Sequence, residues 1–166
     1  MHLFDIDIPG KITFKESESL SAGNSFSSFH IEGTEWKVGL GICYDLRFPE
    51  FSSILVNQFG CNLLIYPSAF NTTTGPLHWH ILQRGRAVDT QSYIISASPA
   101  RKMDAGYEAY GHSMIVEPTG QIAAEAGEGE EIVYAEIDNS VVNEVRRNIP
   151  SLIQKRADVY HIPRCK

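Results

Sequence analysis

Cysteine is scarce in this chain: three in 166 residues, at positions 43, 61 and 165. The count is odd and the gaps are long and irregular. That excludes a secreted disulfide framework and a CxxC metal knuckle, and favours a reducing compartment. Long apolar runs are missing too, since nothing approaches the ~20 residues of a membrane-spanning helix. Basic charge is never massed. The formal net charge is −6 with lysine and arginine scattered, which gives no electrostatic footprint for nucleic acid or an anionic membrane. The opening Met1-His2-Leu3-Phe4-Asp5-Ile6-Asp7 has no basic n-region, no apolar h-region and no arginine-rich presequence. These absences leave a small molecule or a protein as partner. They point to the cytoplasm, or to an organelle such as the mitochondrion if a longer precursor exists. Asn71-Thr72-Thr73 matches a glycosylation sequon, which goes unused without a secretory signal.

What is present is an ordinary globular composition, 43% hydrophobic and 20% charged, read as one domain over residues 1–166. A chain of this length can bury about two-thirds of its unfolded surface, so a core needs neither disulfides nor metal. Apolar periodicity switches repeatedly between strand and helix, which predicts an α/β fold. Phe26 to Ile31 and Trp36 to Tyr44 read as paired strands around the turn Glu32-Gly33-Thr34. A helix follows, with Pro49 in its first turn, apolar Phe51, Ile54, Leu55 and Phe59, and Gly60 as a left-handed cap. Cys61 to Tyr66 is a buried strand that Pro67 ends. Pro67 to Pro76 reads as a loop, Leu77 to Thr90 as a second helix and Ser92 to Ser98 as a strand. A meander is expected from His112 to Glu117, Gln121 to Ala126 and Glu131 to Ile137, then a helix capped by Asp138 or Asn139 and ending near Arg147. The segment before Phe26 shows no clear period and reads as irregular.

Val38-Gly39-Leu40-Gly41-Ile42-Cys43-Tyr44-Asp45 places a thiol at the end of an apolar strand, before a turn and a helix. A sharp strand-to-helix turn lifts a nucleophile off the sheet, aims the next backbone N–H at a developing oxyanion and favours a thiolate. The same pattern suits an inert buried thiol, because free cysteine is commonly buried. Cys61, inside a strand, and Cys165, in a tail, have no base or helix start beside them and read as structural. Glu16, taken locally, reads as a solvated surface carboxylate. His78-Trp79-His80 is a weak zinc pair, since helical residues two apart point about 200° away from each other. Arg84 and Arg86 suit ion pairs or carbonyl contacts, with Asp89 a local partner.

Gly41-Ile42-Cys43-Tyr44-Asp45-Leu46-Arg47-Phe48-Pro49-Glu50 resembles the nucleophile signature of the nitrilase superfamily. The same register continues through Tyr66-Pro67-Ser68-Ala69-Phe70-Asn71, Gly75-Pro76-Leu77-His78-Trp79, Arg84-Gly85-Arg86-Ala87 and Tyr110-Gly111-His112-Ser113. Several spaced blocks in one order are far more specific than a lone cysteine. Phe4-Asp5-Ile6-Asp7-Ile8-Pro9-Gly10-Lys11 and Ser98-Pro99-Ala100-Arg101 look most like the omega-amidase branch, and a branch acting on deaminated glutathione is the neighbour.

The resemblance implies the larger, C-terminal part of a four-layer α-β-β-α sandwich. It implies hydrolysis of the terminal amide of short 2-oxo acid amides, such as 2-oxoglutaramate and 2-oxosuccinamate, through a cysteine thioester, without metal or cofactor and usually in a homodimer. It assigns Cys43 as nucleophile, the Tyr44 N–H as oxyanion donor, Glu16 as the second glutamate, and Phe70 with the loop around it as pocket wall; independently of it, bidentate arginine chemistry makes Arg101 a partner for the substrate carboxylate. It also implies a lysine one residue upstream of Met1 and an earlier general-base glutamate, so this chain by itself is expected to be inactive. His80 stands where the pattern has glutamate. Two other readings are a non-catalytic binding or dimerisation module, and an unrelated cysteine hydrolase pairing Cys43 with His112.

Overall fold

A computed structural model describes residues 1–9, 12–156 and 158–160. Gly10, Lys11 and Cys165, all part of the sequence reading, lie outside them. The chain opens with a hairpin, β1 (Asp5–Ile8) against β2 (Ile12–Lys15), and a 3-10 turn over Glu16–Glu18. The irregular segment expected there is thus partly ordered; strands of four residues are too short to show a period.

Six further strands form one mixed sheet in sequence order: β3 (Ser27–His30), β4 (Lys37–Leu40), β5 (Leu63–Pro67), β6 (Tyr93–Ala97), β7 (Met114–Val116) and β8 (Ile122–Glu125). β3 and β4 pair antiparallel across a turn in which Gly33 takes φ +72°. β4, β5 and β6 run parallel, so each needs a crossover, and the sequence supplies two helices for it. These are α1 (Pro49–Asn57) and α2 (Thr74–Thr90). α1 ends as read, with Gly60 left-handed at φ +72°. α2 starts three residues earlier than the expected Leu77. The reason is Asn71, whose Oδ1 accepts from the N–H groups of Thr73 and Thr74 and from the Thr74 hydroxyl. Pro76 then falls in the first turn, where its missing N–H removes no bond. β7 and β8 return antiparallel.

Both helices cover one sheet face, where Leu55, Leu64, Tyr66, Trp79, Ala87, Ile94 and Met114 form the main core. On the other face Val38, Leu63 and Tyr93 meet Val142 of α3 (Asn139–Asn148), capped by Asp138 as read. Leu40, Ile65 and Ile95 on that face are half-buried and Phe29 is exposed. Of the implied four layers, the described residues supply a helix layer and a sheet, with α3 behind it.

The strand expected at Glu131 to Ile137 does not form. Exposure still alternates along it, with Ile132 and Tyr134 outward, but no neighbouring backbone among the described residues pairs with it. Alternation can specify an extended segment; a ladder needs a partner as well.

Gly41 shows how tightly the strand leading to Cys43 is packed. A Cβ there would strike the Tyr66 ring and come within 2.8 Å of Phe51 Cε1. Gly41→Ala is expected to lower stability by about 1–3 kcal/mol, the usual effect of overpacking, read as a lower urea midpoint with an unchanged slope.

Candidate active site

β4 ends at Leu40, and Gly41 stays on the sheet by donating to the Ile65 carbonyl at 3.0 Å. The chain then turns sharply into a five-residue 3-10 turn, Cys43–Arg47. Cys43 itself adopts φ +44°, a left-handed conformation disfavoured for a residue with a Cβ. Such strain persists only where the surroundings hold it.

Asp45 does much of that holding. It is buried, and its Oδ2 accepts from the Ile42 N–H at 2.9 Å and the Met1 amino group at 3.1 Å. Its Oδ1 takes the His2 N–H and the His2 ring nitrogen, both at 2.8 Å. Burial pushes the Asp45 carboxyl up, but these donors outweigh it and hold the group below the ordinary carboxylate range. From the other side, Arg86 Nε donates to the Leu46 carbonyl at 3.0 Å while its Nη1 pairs with Asp89 at 2.9 Å. Arg84 donates to the Gly120 carbonyl. The arginines of this helix thus make the contacts read from the sequence.

Cys43 opens into a cleft of about 640 Å³ bounded by Glu16, Phe4, Phe14, Ser68, Ala69 and Tyr107. Glu16 is fixed there, since its Oε2 accepts the Phe4 N–H at 2.7 Å and its own N–H bonds the Phe4 carbonyl. It is half-buried beside the thiol and not a solvated surface group. The tertiary fold thus brings together two residues 27 positions apart in sequence.

Burial is the main cause that raises the Cys43 thiol above its ordinary range. The Ala69 backbone N–H lowers it, the Glu16 charge raises it and Arg47 lowers it. The resting thiol is therefore protonated near neutrality and needs a proton acceptor to attack. Tyr44 follows at the start of the Cys43–Arg47 turn, whose leading N–H groups have no partner within the turn.

The other residues singled out in the sequence lie differently. Phe70 is buried behind the cleft, edge-on to Trp79 at 5.1 Å and beneath the Arg47 guanidinium at 4.7 Å. It borders a narrow crevice beside Cys43, and Pro67, Ser68 and Ala69 form a wall of the main cleft. Arg101 does not border the cleft. Its Nε and Nη2 donate to the carbonyls of Ala109 and Tyr110, and its Nη1 pairs with Glu128 at 2.7 Å. It clamps a loop, because folding surrounds it with two backbone carbonyls and the Glu128 carboxylate. His112 is not brought to Cys43 either; it faces Glu125. Cys61 is fully buried, as read.

Tyr107 and Arg47 had no role assigned from the sequence, whereas Ala69 belongs to the loop around Phe70 that did. The Tyr107 hydroxyl donates to the Ala69 carbonyl, and burial, with the nearby Cys43 and Glu16, pushes it up to about 12. Arg47 lies in the nucleophile block, so its neighbourhood was readable; Tyr107 is 64 residues from Cys43 and carried no local signal.

Comparison with known proteins gives the cleft its context. The carbon–nitrogen hydrolase family model matches residues 1–147. "Omega-amidase NIT2" of Bos taurus is 57% identical over 162 residues, which is 98% of this chain and 58% of that protein. The crystal structure of Saccharomyces cerevisiae Nit3, described as a member of branch 10 of the nitrilase superfamily, superposes with a TM-score of 0.77 at 52% identity. It covers 86% of this chain and 51% of that one. The C. elegans NitFhit protein superposes with a TM-score of 0.83 at 38% identity, over 97% of this chain and 39% of that one. The chain therefore spans a little over half the length of the curated relatives it matches. With its matched span, its fold and a strained cysteine on a strand-to-helix turn, this chain belongs to the carbon–nitrogen hydrolase family.

Proposed function

We propose that this chain carries the nucleophile of an omega-amidase that hydrolyses the terminal amide of short 2-oxo acid amides. The observation that carries the proposal is Cys43 at positive φ, opening with Glu16 into one cleft. The relatives named omega-amidases support the substrate class.

In this reading Cys43 Sγ bonds to the amide carbon and the Tyr44 N–H meets the developing oxyanion. The C–N bond then breaks, and the thiol proton leaves with ammonia through a carboxylate shuttle. Water hydrolyses the thioester, releasing the 2-oxo acid and restoring the thiol. Glu16 polarises the cleft. The substrate carboxylate is assigned to Arg47, which borders the crevice beside Cys43, in preference to Arg101 with its three engaged nitrogens. No lysine lines the cleft among the described residues. Glu16 is the one carboxylate that lines the cleft among the described residues, and turnover by a cleft without the lysine and base glutamate that the resemblance implies is proposed to be weak. A cytoplasmic homodimer belongs to the same proposal.

Ammonia release tests it. A form extended to include that lysine and glutamate should hydrolyse 2-oxoglutaramate at least tenfold faster, in kcat/KM, than deaminated glutathione. It should exceed the 166-residue chain by ~10³-fold or more, because catalytic groups that act as a unit fail together. Preference for deaminated glutathione overturns the substrate, and no turnover of either favours a non-catalytic module.

A further inference from the structure

Away from the cleft, three potential metal ligands converge from three elements. His80 projects from α2, Glu125 ends β8 and His112 lies in the segment before β7. His80 Nε2 and His112 Nδ1 approach the same oxygen, Glu125 Oε1, at 2.8 and 2.9 Å. One ligand atom from each residue falls within a 4.8 Å group. We propose that His80, His112 and Glu125 form a binding site for a divalent transition-metal ion of the zinc class.

The geometry needs little adjustment. Zinc holds imidazole nitrogen and carboxylate oxygen at about 2.0–2.2 Å, so tetrahedral ligands stand about 3.3–3.6 Å apart. Opening each His–Glu contact by several tenths of an ångström makes room for the ion. Both imidazoles bind in their neutral form, and moving each ring proton to the outer nitrogen frees the lone pair that faces the centre. Two imidazoles and a carboxylate suit zinc, copper or nickel better than magnesium or calcium, which prefer all-oxygen shells. The side chains are 33%, 21% and 28% exposed for His80, His112 and Glu125. An ion can therefore enter, and water can complete its coordination.

The site is also braced. Gly111 and His112 are both left-handed, at φ +80° and +59°, and the His112 carbonyl accepts the Trp79 indole N–H at 2.6 Å. The His112 ring stacks on Tyr110 at 4.3 Å. His78, two residues from His80, points elsewhere, its ring nitrogen 3.2 Å from Arg47 Nη1. The His-x-His spacing therefore supplies one ligand, and the fold supplies the other two from 32 and 45 residues further on.

Zinc titrated calorimetrically into the 166-residue chain carrying Cys43→Ala and Cys165→Ser, which leaves the fully buried Cys61 as the one remaining thiol, should bind one to one. His80→Gln, His112→Gln and Glu125→Gln should each weaken it more than tenfold, since even outer-shell substitutions weaken metal sites by 10- to 100-fold. His78→Gln should leave it unchanged, and circular dichroism should show each variant folded. Cobalt in place of zinc should give visible ligand-field bands without thiolate charge transfer, a readout that holds even if one variant fails to fold. Absence of saturable one-to-one binding overturns the proposal, as does binding indifferent to all three substitutions. A Glu125→Gln variant with lower Tm but unchanged zinc affinity would mark the cluster as a hydrogen-bonded brace and equally overturn it.

Discussion

Cys43→Ala is expected to remove amide hydrolysis from any active form of the protein, with kcat falling on the order of 10⁴-fold or more, the scale seen when a covalent nucleophile is deleted. Acyl-enzyme adducts trapped by rapid quenching should appear by mass spectrometry on the parent protein and vanish in the variant. The protonated state of the thiol adds a second reading of the same residue. Burial raises it, so alkylation of Cys43 by iodoacetamide should keep accelerating as pH rises through the ordinary thiol range, with no plateau there. Glu16→Gln removes a neighbouring negative charge that also raises the thiol, and should move the alkylation profile toward lower pH. A profile indifferent to Glu16→Gln would separate that carboxylate from the nucleophile. Full activity in Cys43→Ala would end the nucleophile assignment.

Asp45→Ala is expected to have the largest effect on stability, on the order of 3 kcal/mol. The substitution strands the Ile42 and His2 N–H donors and releases the turn that holds Cys43 at positive φ. Chemical denaturation measures the first effect, and faster, less selective labelling of Cys43 reports the second. Because the folded carboxyl of Asp45 is held low, its ionised form stabilises the native state. That contribution is complete above the unfolded carboxylate value of about 3.9 and is lost as pH falls through the depressed folded value. Asp45→Asn, which cannot ionise, should therefore lose less stability than the parent between pH 6 and strong acid. Parallel acid profiles would show that the carboxyl does not couple to folding.

Much of the fold was legible because it rests on local rules. Pro49 at the start of α1, Gly60 after its end, Pro67 closing β5 and Asp138 capping α3 act through their own backbone dihedrals or nearest donors. Where the reading failed, a longer-range or subtler partner decided. Asn71 moved the start of α2 by capping from outside the helix. Glu131 to Ile137 alternates as a strand should, yet no described backbone pairs with it. Arg101, chosen for its charge, is engaged by carbonyls that folding places around it.

The site divides in the same way. The sequence by itself determined that Cys43 follows a small-residue strand and precedes a tight turn, and the surrounding blocks pointed to carbon–nitrogen hydrolase chemistry. These are properties of neighbouring residues, fixed by covalent connection and short-range sterics. Only the tertiary structure decided that Glu16 is held across a cleft by the Phe4 backbone, and that Asp45 gathers donors from the first two residues. It alone decided that His80, a weak ligand candidate in sequence, meets His112 and Glu125. Packing sets the neighbours of a side chain in space, and residues 27, 32 or 45 positions apart share no local rule that could announce the contact.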